Sequence, residues 1–374
     1  MATREVGNAE LTNPPYSAVG LILVHWADGA TTQGTVSVVG PNDVLTATHV
    51  VYDPAHGGLA KSFDLYFGVD YNSQAGAFDS ATNSAVLRAG TFAWDALRFG
   101  ASVFSDSDPG VSFSESQYDV ALIGLSAPVG NATGWFGMDP GRDVAQAATE
   151  IGYPADGTGM MAGDVAVERN ATYGVYTSTS GGLGPGSSGG PLFTPDYHVL
   201  GVKSGGSGGL SSWADLGITK DALFSFLTTD DWLLAWRPPD AAQLEDALGV
   251  YRGFYGATPA ADSARDLVAQ VGVNGTQAYA VSLGRLFGAA PPDQLAVHVL
   301  QDFGLAASTL GGPDPAASYA ALLDAVTSVF AWYPDARGQV VLNMVGLLRG
   351  LEADAVYGGA ARAFAATLAT DTLS

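Results

Sequence analysis

Two periods of apolar and polar residues divide this chain, and they change over at Arg237-Pro238-Pro239-Asp240. Before that point apolar residues come in short runs rich in β-branched and aromatic side chains. Strands are expected at 19–25, 35–39, 43–46, 65–69, 85–92 and 120–125, then at 149–153, 165–169, 173–177 and 199–203. Turn residues such as Asp28-Gly29, Gly40-Pro41-Asn42 and Asp156-Gly157 separate them. Many short strands without long helical patterns predict closed antiparallel barrels, an all-β fold. The segment 219–236 reads as a helix. The two prolines then break the chain, and Asp240 is placed to cap the next helix.

Beyond the prolines the period becomes helical. Leu244, Leu248, Tyr251 and Tyr255 recur at that spacing, as do Tyr279, Leu283, Leu286 and Phe287. Further helices are expected at 294–303, 317–333, 337–351 and 357–373, punctuated by Gly304, Gly311-Gly312-Pro313 and Gly358-Gly359. The organisation is therefore an extension at 1–14, a β domain at 15–236 and an all-α domain at 237–374. The helical part holds no cluster of histidines, cysteines or paired carboxylates.

Composition narrows the function classes. The chain has 374 residues, 47% of them hydrophobic, enough for two packed cores. No apolar run is long enough for a membrane-spanning helix, and the polar first fifteen residues, with Arg4, Glu5 and Glu10, lack the apolar stretch of a Sec signal. There is no cysteine, so no disulfide holds the fold. The net charge is −22, with an excess of acid in both halves. Such a surface favours solubility and repels nucleic acid and anionic membranes, so neither nucleic-acid binding nor membrane insertion is expected.

The chemistry lies in three segments of the β half. Leu45-Thr46-Ala47-Thr48-His49 is followed by Tyr118-Asp119-Val120-Ala121-Leu122-Ile123 and by Gly186-Ser187-Ser188-Gly189-Gly190-Pro191. A serine hydroxyl is a poor nucleophile until a base takes its proton, and that base needs a carboxylate to fix its tautomer. Of five histidines, only His49 follows a strand-like Val-Leu-Thr-Ala segment. His25 reads as an ordinary strand residue and His56 as a solvated loop residue. Asp119 precedes an apolar run, whereas Asp106 and Asp108 sit in a Ser/Asp/Pro loop. Ser188, rather than Ser187, has Gly-Gly-Pro directly after it and a glycine two before it.

These segments resemble the Thr-Ala-x-His, Asp-x-Ala-Leu and Gly-x-Ser-Gly-Gly-Pro signatures of chymotrypsin-like serine peptidases, over roughly residues 15–230. The order His, Asp, Ser is theirs too. The resemblance implies a double antiparallel barrel closed by the helix at 219–236. It also implies a catalytic triad of His49, Asp119 and Ser188, and an oxyanion hole from the N–H groups of Gly186 and Ser188. No cofactor or metal is called for. The substrate would be a protein or peptide, cleaved through an acyl-enzyme. A cysteine often follows the histidine in that family; here it is Val50.

For selectivity, the acid that trypsin-like enzymes place six residues before the serine is Gly182 here. Gly201-Val202-Lys203-Ser204-Gly205-Gly206 resembles a strand of bacterial glutamyl endopeptidases in which a histidine binds an acidic substrate side chain. Lys203 holds that position, while Leu183 replaces their threonine. Gly182, Leu183 and Lys203 are thus the substrate-binding candidates, and Lys203 either pairs with a carboxylate or points to solvent. No Arg/Lys-Ile-Val-Gly activation site appears near residue 15.

The stretch 334–343 resembles helical modules of bacterial type-I-exported and S-layer-associated proteins, although no Gly-Gly-x-Gly-x-Asp calcium repeat occurs. That resemblance implies an extracellular protein and contact of the helical domain with a cell surface or secretion apparatus. The plainer alternative is a helical bundle packed on the barrels. For the whole chain the alternative to an active peptidase is a catalytically silent scaffold used for binding or surface association.

Overall fold

The computed structural model describes residues 3–80, 86–88, 91–100, 111–143, 147–207 and 209–370. The chain forms two compact units, residues 1–235 and 236–374.

The first unit consists of two antiparallel sheets, in line with the double barrel expected from the sequence. Among the described residues the first sheet runs, in spatial order, Val86–Leu87, Ser62–Phe67, Val19–His25, Thr31–Val38, Asp43–Thr46, Ala121–Leu125 and Trp94–Arg98. The second runs Thr3–Glu5, Met161–Ala166, Ala147–Gly152, Pro191–Phe193, His198–Ser207, Leu210–Asp215, Val175–Ser178 and Glu168–Asn170. The short strand Gly137–Met138 adds to it in parallel. Alternating burial explains the strands. In Ser62–Phe67, Phe63 and Leu65 are fully buried, while the intervening Ser62 and Asp64 are only half-buried. Val19–His25 buries both of its faces at Leu21, Ile22 and Val24, as an inner strand does.

Local pattern missed or shifted several elements. The run expected at 165–169 is two strands, Met161–Ala166 and Glu168–Asn170. Strands Trp94–Arg98 and Leu210–Asp215 carry no clear alternation and were not expected. Of the strand expected at 85–92, residues 85, 89 and 90 lie outside the described residues, and Val86–Leu87 is extended. The helix expected at 219–236 ends at Thr229, with a separate turn of 3-10 helix at Asp231–Ala235. Between them, Asp230 turns inward and accepts from Asn42 Nδ2 at 3.3 Å. A Cβ on Gly124 would overlap that carboxylate, so the glycine makes the inward turn possible.

Among the described residues the second unit has six α-helices, Ala241–Tyr255, Ala261–Arg285, Pro292–Asp302, Pro315–Trp332, Arg337–Gly350 and Gly358–Thr370. Asp240 caps the first in a reciprocal box with Gln243. The long second helix bends at Gly275, where φ is +79°. Leu248, Phe254, Leu283, Val299, Phe303, Phe330 and Phe364 form the core. Leu286 was expected on the apolar face, but the helix ends at Arg285 and this side chain is 72% exposed.

Candidate active site

The site is assembled from residues far apart in the chain. His49 lies in a one-turn helix, Thr48–Val51, directly after the strand Asp43–Thr46. The Thr48 hydroxyl lies 2.7 Å from the carbonyls of both Phe99 and Val120, tying this turn to the segment that carries Asp119. Asp119 follows the short helix Phe113–Ser116 and donates its N–H to the Ser116 carbonyl at 3.2 Å.

Asp119 is fully buried, and its oxygens are occupied. Oδ1 accepts the backbone N–H of His49 at 3.0 Å, and Oδ2 lies 2.6 Å from His49 Nδ1. Oδ2 also accepts the Ser204 hydroxyl at 2.6 Å. Three donors satisfy the desolvated carboxylate and fix its plane. With Nδ1 holding its proton toward Asp119, the His49 Nε2 is the nitrogen left for a substrate-side hydroxyl. Burial pulls the His49 pKa down, but the Asp119 charge and hydrogen bond, helped by Asp53, outweigh it and hold it above the usual histidine value.

Ser188 sits in a tight loop whose glycines are required by close approaches. Gly186 has φ +92°, and a Cβ there would come within 2.7 Å of both Ala155 N and the Tyr153 carbonyl. Gly189 has φ +86°, and a Cβ there would overlap Thr46 Oγ1 and the Thr35 carbonyl. The loop therefore lies against the strand that leads to His49. The carbonyl of Ser188 accepts from Thr35 N at 2.8 Å.

The two adjacent serines differ. Ser187 is buried and donates its hydroxyl to the Gly184 carbonyl at 2.5 Å. Ser188 is half-buried, and its hydroxyl has no hydrogen-bond partner among the described residues. The loop N–H groups of Ser187, Gly189 and Gly190 donate to Gly184, Lys203 and Ser187 carbonyls. Those of Gly186 and Ser188 donate to nothing among the described residues, which leaves them available to an oxyanion.

Lys203 does not point to solvent: it is 5% exposed. Its Nζ lies 3.6 Å from Glu150 Oε2 and 4.3 Å from the centre of the Trp213 ring. The carboxylate that pairs with it belongs to this chain. Leu183 is also buried and donates its N–H to Glu150 Oε1 at 2.7 Å. Ser204 and Glu150 escaped the sequence reading. Ser204 lies in the stretch 201–206 that was singled out for Lys203 alone, and Glu150 sits in a strand whose acid gives no sign of facing inward.

Other histidines lie elsewhere. His56, expected to be solvated, stands 2.7 Å from Asp28 Oδ2 and stacks on Trp26 with ring centres 5.4 Å apart. Asp106 and Asp108 lie outside the described residues.

Residues 34–202 match the family model of the trypsin-like peptidase domain. This part of the chain is a trypsin-like peptidase domain. The chain is 27% identical over 183 residues to a Bacillus subtilis (strain 168) protein named extracellular metalloprotease; the match takes in 47% of this chain and 52% of that one, so the chain spans about half of that relative's length. Among solved structures it is similar to a Glu endopeptidase (19% identity, TM-score 0.45, 60% of this chain and 95% of that one). It is similar too to the protease Anisep from Arthrobacter nicotinovorans (17% identity, TM-score 0.45, 58% and 97%). Among the described residues of the peptidase domain and the helical unit, no group of three or more His, Cys, Asp or Glu is arranged to hold a metal ion.

Proposed function

We propose that the peptidase domain is a serine endopeptidase that hydrolyses peptide bonds with His49, Asp119 and Ser188. The observation that carries this reading is the 2.6 Å contact of His49 Nδ1 with the buried Asp119, beside a loop that leaves only the Ser188 hydroxyl free. In the proposed reaction Ser188 Oγ attacks the scissile carbonyl carbon while His49 Nε2 takes its proton. The carbonyl oxygen becomes an oxyanion held by the N–H groups of Gly186 and Ser188. His49 then gives the proton to the departing amine, leaving an acyl group on Ser188. Water, deprotonated by His49, attacks that ester; the acid product leaves and His49 returns the proton to Ser188 Oγ. Gly182, Leu183 and Lys203 line the pocket for the residue before the scissile bond.

Export from the cell belongs to the same proposal. It rests on the acidic, cysteine-free composition and on the resemblance of residues 334–343 to exported helical modules. The helical unit would then contact the cell surface or secretion apparatus.

Labelling with a fluorophosphonate, read by mass spectrometry, tests the catalytic reading. One adduct on Ser188 is expected. Intact protein with no adduct would favour the silent binding scaffold instead.

The state of His49 sets the pH dependence. Only the neutral ring accepts the serine proton, so protonation as pH falls removes activity. Because Asp119 holds the His49 pKa above its ordinary value of ~6.5, the acid limb of kcat/KM should centre above ~6.5. A profile that stays flat from about pH 5 to about pH 8 would remove His49 from the role of base.

A further inference from the structure

The peptidase domain buries a charged pair that the triad does not use. Lys203 is 5% exposed and Glu150 2%, with Nζ and Oε2 3.6 Å apart. Neither of these atoms has a hydrogen-bond partner among the described residues. The ammonium lies over Trp213, and the other Glu150 oxygen takes the Leu183 N–H.

The pair sits next to the reacting residues. The Lys203 N–H donates to the Gly190 carbonyl, and its own carbonyl accepts from the Gly189 N–H, both at 2.8 Å. The next residue, Ser204, holds Asp119. On the other side lies the segment that enters the Ser188 loop. A Cβ on Gly182 would come 2.7 Å from Lys203 Nζ, 2.5 Å from Ser211 Oγ and 3.0 Å from Glu150 Oε1. Gly182 thus packs closely against the pair, and a larger residue there would collide with it.

We propose that Glu150 is a specificity-determining residue: as the built-in counter-ion of Lys203 it makes the base of the substrate side-chain pocket electrically neutral, so that the enzyme takes peptides with an uncharged residue before the scissile bond. The proposal rests on the function reading above, both its triad and its placing of Lys203 in the pocket for the residue before the scissile bond. A lone buried ammonium would draw a substrate carboxylate strongly, because neither charge has water to solvate it. With Glu150 3.6 Å away, an incoming carboxylate meets one cation already shared and one anion that repels it. Its desolvation is then not repaid. Burial pushes Glu150 up and Lys203 down, each held back by the other. Whichever group holds the proton, the pair carries no net charge. Specificity here is the difference between two affinities, and Glu150 acts by penalising the acidic competitor.

The test uses the full chain, with active sites counted by fluorophosphonate labelling, and matched peptides bearing Gln, Leu, Glu or Lys before the scissile bond. In the wild type, kcat/KM for Gln or Leu should exceed that for Glu by at least about tenfold. Glu150→Gln should raise the Glu/Gln ratio by at least about tenfold, with no gain for Lys. The double variant Glu150→Gln/Lys203→Met, which buries no charge, should keep the wild-type preference, and it carries the test if the single variant does not fold. A labelled wild type that already prefers Glu overturns the proposal. So does a labelled Glu150→Gln with an unchanged ratio, or a double variant that prefers Glu. Absence of any Ser188 adduct in the wild type overturns the triad reading and takes this proposal with it.

Discussion

Replacing Ser188 by alanine is expected to lower kcat by on the order of 10⁴–10⁶, because nucleophile and base act as a unit. The fold should be unaffected. The Ser188 side chain is half-buried and its hydroxyl bonds to nothing among the described residues, so removing it leaves no orphaned partner. Ser187 cannot take over, since its hydroxyl is buried and committed to the Gly184 carbonyl. Ser187→Ala is therefore the informative control: it should lose some stability but still give the Ser188 adduct. Casein cleavage at the wild-type rate by purified Ser188→Ala would end the assignment.

Asp119→Asn should lower kcat by about 10⁴ at neutral pH, for a reason of hydrogen-bond polarity. All three groups facing the Asp119 oxygens are donors: the His49 N–H, the His49 Nδ1–H and the Ser204 hydroxyl. An amide presents an NH2 on one side. Turned toward the ring, it makes Nδ1 the acceptor and moves the ring proton to Nε2, where the serine proton must go. Turned the other way, it opposes the His49 backbone N–H. The substitution also removes the larger part of what holds the His49 pKa up, leaving burial opposed by Asp53 alone. An NMR titration of His49 should show that fall, and a thermal melt checks that the variant is folded. Activity within tenfold of the wild type would show that Asp119 does not orient the base.

Much of the barrel was readable because the alternation of buried and exposed positions in a strand is written into neighbouring residues. The alternation in Ser62–Phe67 and the double-sided apolar run of Val19–His25 follow from which face each residue must bury. The strands Trp94–Arg98 and Leu210–Asp215 were not legible. Their half-buried or polar positions are decided by neighbouring strands, and no period marks them. The break in the helix after Thr229 was equally hidden, because it depends on room left by Gly124 and on Asn42, both distant in sequence.

By itself the sequence determined the three motifs in order, the choice of His49, Asp119 and Ser188 as candidates, and the change of period at the paired prolines. Each depends on residue type and on spacing along the chain. Only the tertiary structure decided that Ser204 is the third donor to Asp119, that Ser187 is spent on Gly184, and that Lys203 is buried against Glu150 rather than turned to solvent. These are choices of partner between strands brought side by side by sheet register. A side chain carries its charge and hydrogen-bonding groups in the sequence, but which group stands within about 3–4 Å of it, and whether water is shut out, is set by packing.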